Sequence, residues 1–182
     1  LSGLVGSEMC IRDRTKIDRI TKFATVSQMV EFSTMISTVN KKINKTSFTR
    51  VKSVDQFYPL YGKALYEPND ALEKLNQIES SILVNENIFK NLNLKINDIV
   101  KVQDKEFKVI GIVKVLPDIG GAFVFGDFAL TGKKTLDKLD LNTLGSFLNY
   151  EYKVKFNKSV NSKEGIKSCL LYTSDAADDM QC

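Results

Sequence analysis

The chain has 182 residues, with 26 Lys and Arg against 22 Asp and Glu, so it carries +4 at neutral pH. It contains no His, which removes the usual general base, the Ser-His-Asp constellation and histidine-based metal sites. The most apolar stretch, GAFVFGDFAL, is interrupted by Asp127 and falls far short of the roughly 18 residues that a membrane span needs.

In chain order, Ile17, Ile20 and Phe23 recur at helical spacing, which predicts the end of a helix over Lys16–Phe23. Val26–Ile36 is β-like, Val39–Ser47 (VNKKINKTS) is a basic hairpin tip, and Ser47–Val54 returns as a strand, giving an antiparallel pair. The basic tip reads as a solvated loop rather than a nucleic-acid patch. Phe57-Tyr58-Pro59-Leu60-Tyr61-Gly62 is dense in aromatics, and Pro59 lacks a donor, which places it at an edge or turn. Tyr58 and Tyr61 suit packing on a core with the hydroxyl bonded at its rim, or stacking on a ligand. Asn69 or Asp70 can cap a short helix over Ala71–Gln77.

The centre of the chain, Ser81–Val113, reads as strand, short helix, tight turn and hairpin. Ser81–Val84 is the strand, and Asn85 or Asn87 caps a helix carrying Ile88, Phe89, Leu92 and Leu94. In the closing turn Lys95-Ile96-Asn97-Asp98, Asn97 is the residue expected in the left-handed region. With Asp104-Lys105 as a two-residue loop, Val102 faces Phe107 and Val100 faces Val109, and the apolar and polar faces stay separate. The second strand continues through Ile110-Gly111-Ile112-Val113 with both faces apolar, so it must be covered on both sides.

Beyond it, Pro117-Asp118-Ile119-Gly120-Gly121 is a turn; no Gly-Lys-Ser/Thr follows at phosphate-loop spacing. Gly121–Leu130 is a Phe-rich strand region (Phe123, Phe125, Phe128), and Thr131–Leu139 a short helix. Tyr150–Phe156 alternates strictly, with Tyr150, Tyr152, Val154 and Phe156 on one face, and Ser162–Ser168 begins a helix.

Three segments resemble one family in the same order. VNENIFKNLNLKINDIVKVQDKEFKVIGIV resembles the "SE.LA..LGLKVGD.I.I.GK.F.VVGI." core of the extracytoplasmic domains of FtsX-like ABC transporter permeases, the MacB type; Asn97 stands where that pattern has Gly. VDQFYPLYGKALY resembles the "V...YPLYG.L.L" segment of the YbbP-like branch. VLPDIGGAFVFGDFALTGKKTLDKLDL resembles its "EPD.G.GFF...PR..I...DL..T.L", although Gly145-Ser146-Phe147-Leu148-Asn149-Tyr150 lacks the Arg of the following "GSRV.YR.L". At the two ends, residues 1–14 (LSGLVGSEMCIRDR) and 169–182 (CLLYTSDAADDMQC) resemble translated sequencing adapters, so 15–168 is the segment expected to fold. The ends hold all three cysteines, two of the 26 basic residues and five of the 22 acidic ones, which leaves net +7 for the middle.

The reading is an α+β fold of two lobes: an α/β lobe with a small β-rich lobe inserted at about 81–114. The resemblance implies the extracytoplasmic domain of a permease, on the periplasmic side of a bacterial inner membrane. It implies a partner ATPase subunit in the cytoplasm, a lipid-like cargo or a periplasmic partner, and a dimer of permeases. No catalytic residue, cofactor, metal or nucleic acid is expected. Tyr58, Tyr61, Phe123, Phe125 and Phe128 are the candidate contacts to cargo or partner, because aromatics there sit beside Pro or Gly in the segments that carry the resemblance. Two other classes compete. A basic nucleic-acid-binding β-barrel would need its Lys and aromatics on one surface. A soluble hydrolase would rest on scattered carboxylates alone.

Overall fold

A computed structural model describes residues 21, 24–39, 44–118, 126–136, 139 and 148–156. The expected helix over Lys16–Phe23, apart from Thr21, the expected helix over Ser162–Ser168, both end segments, Phe123 and Phe125 lie outside the described residues. Among the described residues there are eight strands: β1 (Ala24–Thr38), β2 (Thr46–Val54), β3 (Leu65–Glu67), β4 (Ser81–Asn85), β5 (Ile99–Val102), β6 (Lys105–Val115), β7 (Phe128–Gly132) and β8 (Asn149–Phe156). Three short helices join them: α1 (Ala71–Gln77), α2 (Glu86–Asn91) and α3 (Lys133–Leu136). Ser27–Tyr152 belongs to one compact unit, while Ala24–Val26 and Lys153–Phe156 belong to a second. The class is α+β, with one mixed sheet.

Six strands pair in a closed ring. β1 pairs β2 antiparallel, β2 pairs β7 parallel, β7 pairs β4 antiparallel, β4 pairs β6 parallel, β6 pairs β5 antiparallel, and β5 returns to β1. Each strand contributes to one interior: Phe32 and Ile36, Val51, Ala129, Ile82 and Val84, Phe107 and Val109, and Val100 and Val102, with Ile88 of α2 and Leu92 at its C-cap added to the same core. The alternate side chains face outward. Met29, Val54, Leu83, Ile110, Val113 and Leu130 form a second core with Ala71 and Leu75 of α1 and with Tyr58. β6 therefore has apolar residues on both faces because it lies between two cores.

The inserted lobe is drawn differently from the expectation. β4, β5 and β6 are the middle of the ring and share its core with strands from both flanks, so 81–114 does not enclose a core of its own. The reason is the burial demand of β6, whose two apolar faces need more cover than the short segment can supply.

Local signals hold where they are short-range. The Asn85 side chain accepts from the Ile88 amide at 3.1 Å and caps α2. Asn97 takes φ +76. α1 spans the expected residues, but Asp70 at its N-cap position makes no side-chain cap bond and pairs with Lys74 instead, at 2.6 Å on the exposed surface. Thr131 and Gly132 extend β7, so α3 starts only at Lys133. In β8 the expected apolar face is half-covered: Tyr150 is exposed, and Tyr152, Val154 and Phe156 are partly buried.

The β5–β6 hairpin corrects the expected loop. Val100 pairs with Phe107 and Val102 with Lys105, so the loop is Gln103-Asp104, with Gln103 at φ +55. Val102 does not face Phe107, nor Val100 Val109. All four still point into the same core, because moving the loop by one residue shifts the pairing by two and preserves every face. The shift lets Val109 exchange bonds with the preceding turn: its amide donates to the Asp98 carbonyl at 2.9 Å, and its carbonyl accepts from the Asn97 amide at 2.7 Å.

Candidate functional site

Alternation in β2 puts Arg50, Lys52 and Val54 on the outer face, and the β1 register sets Glu31 opposite Lys52. Val54 is fully buried there, so Lys52 enters a covered region, and its side chain is 11% exposed. Its ammonium lies 2.7 Å from Asp118, whose side chain is 4% exposed, and 3.8 and 3.9 Å from Glu31 and Glu151. The Tyr58 hydroxyl donates to the other Asp118 oxygen at 2.6 Å, and Arg50 holds Glu31 at 2.9 Å. Asp118 thus ties the segment after β6 to β2 and to the 55–64 connection. Asp55 anchors the start of that connection, accepting from the Ser27 hydroxyl and from the amides of Gln28 and Phe57.

Arg50, Lys52, Asp118, Asp127, Phe128 and Glu151 line a cavity of about 320 Å³ beside this cluster. Ser47 donates to Asp127, and the Arg50 amide donates to the Asp127 carbonyl at 3.1 Å. Phe128, half-buried, also lines a second cavity of about 300 Å³ with Val113 and Lys114. Lys52 and Arg50 are engaged by carboxylates, so the described residues of the cluster are suited to holding segments together. Among the described residues, no group of three or more acidic or thiol side chains is placed to hold a metal ion.

The candidate contacts separate. Tyr58 is 5% exposed with its hydroxyl engaged by Asp118, so it is not a surface contact; packing against Met29 and Leu116 in the outer core accounts for it. Tyr61 is 52% exposed, and next to it Gly62, at φ +77, lies against Pro117. Phe128 lines the cavities described above. Lys52, Asp118 and Glu31 went unpredicted. The signals available were a lysine on the same strand face as Val54, and Asp118 in the position of the Asp in the "EPD" pattern.

Burial first, then the charge of Asp118 and its hydrogen bond, raise the Tyr58 phenol far above its ordinary range. Burial and then the Asp118 charge raise Tyr66 as well. The Tyr66 hydroxyl is buried with no hydrogen-bond partner among the described residues. Tyr66→Phe is therefore expected to leave stability unchanged or raise it by about 1 kcal/mol, whereas Tyr58→Phe costs about 1–3 kcal/mol, because it leaves Asp118 short of a donor. Both folded phenols titrate above the unfolded value, so their contribution is complete below pH ~10 and is lost as pH rises beyond it. An alkaline titration followed at the phenolate absorbance checks this: Tyr58 and Tyr66 should ionise only as the chain unfolds.

No family model and no curated protein matches the sequence. Solved structures do match the fold. The periplasmic region of MacB from Actinobacillus actinomycetemcomitans superposes with TM-score 0.51 at 19% identity, over 84% of this chain and 69% of the other. The extracellular domain of YknZ, a noncanonic ABC-type transporter from Gram-positive bacteria, gives 0.52 at 11% identity, over 84% and 76%. A domain of a protein from Porphyromonas gingivalis described as a permease gives 0.59 at 10% identity, over 88% and 68%. The chain shares its fold with these three domains. The identities are low enough that the likeness concerns architecture alone. No helix among the described residues is long and apolar enough to cross a membrane.

Proposed function

We propose that this chain is the extracytoplasmic domain of an FtsX-like ABC transporter permease, most similar to the YbbP-like branch, on the periplasmic side of a bacterial inner membrane. The observation that carries the reading is the fold shared with the MacB and YknZ domains. The order of the three resembling segments supports it. In this reading a separate cytoplasmic ATPase subunit closes on ATP and shifts the permease's membrane helices, within a dimer of permeases. The domain passes that displacement to a lipid-like cargo or a periplasmic partner and has no catalytic activity of its own. Its two tightly packed cores suit the task, because close-packed interiors transmit displacement with little compression. Contact to cargo falls to Tyr61, Phe128 and the neighbouring Phe123 and Phe125.

The test replaces Phe123 and Phe125 together by Ser in the intact transporter. Transport should fall while the stability of the isolated chain stays within about 0.5 kcal/mol. A loss of roughly 3 kcal/mol or more per Phe would assign both rings to a core instead. The gene should also encode one apolar helix before this segment and three after it; a gene without them would sink the permease reading.

A further inference from the structure

We draw no further inference here: the strongest candidate, the cavity of about 320 Å³ lined by Arg50, Lys52, Asp118, Asp127, Phe128 and Glu151, belongs to the charge cluster already described, where Arg50, Lys52 and Asp127 are engaged by Glu31, Asp118 and Ser47 and no side chain is left pointing to a ligand.

Discussion

Asp118→Ala is expected to destabilise the chain by about 3 kcal/mol, a fall of about 10 °C in Tm. The substitution strands two groups at once: the Lys52 ammonium at 2.7 Å and the Tyr58 hydroxyl at 2.6 Å both lose their acceptor. The figure sits at the low end for a broken buried pair because Glu31 and Glu151 remain within 4 Å of Lys52. The double substitution Lys52→Met with Asp118→Leu should recover most of the loss, since removing both charges also removes the cost of keeping them out of water. Urea unfolding of the purified variants decides it. An Asp118→Ala chain with the parent's midpoint would mean that the pair is solvated and does not hold the segment after β6.

Adding a methyl group at Gly111 or Gly132 is expected to cost about 2 kcal/mol each. A Cβ on Gly132 would lie 2.6 Å from the Leu75 carbonyl oxygen, and one on Gly111 would lie 2.6 Å from the Glu67 carbonyl oxygen. Both obstacles are backbone and cannot rotate aside, so α1 or β3 must move off the sheet. Gly111 would also crowd Ala71 and Leu83, at 3.1 Å each. Both sites press on α1, so the double variant should lose less than the sum of the two. Gly126 has nothing within 4 Å of its would-be Cβ, and Gly126→Ala should stay within about 0.5 kcal/mol of the parent. A melt in which all three variants behave alike would show that α1 does not seat on β6 and β7 as described.

Short-range rules made much of this chain legible. Alternation over Thr46–Val54 and Ile99–Val109 assigns each side chain to a face, because successive strand residues point to opposite sides. A free first-turn amide needs an acceptor, so the cap could be narrowed to Asn85 or Asn87, and the bond to Ile88 selects Asn85. Asn97 could be placed in the left-handed region because few other side chains tolerate it. What alternation leaves open is any shift by two residues, since that preserves every face; the loop at Gln103-Asp104 was settled by bonds from Val109 to Asp98 and Asn97. Closure of the ring depends on β1 offering one edge to β2 and its far end to β5, strands more than 60 residues apart in sequence, and no local pattern encodes that. The same holds for the candidate site. The sequence by itself determined most of the elements, their faces and the absence of histidine, but not β3 or the strand conformation of Thr131 and Gly132. Only the tertiary structure decided that Lys52 and Asp118, separated by 66 positions, meet out of water, because burial belongs to the assembled sheet and not to any residue's own neighbourhood.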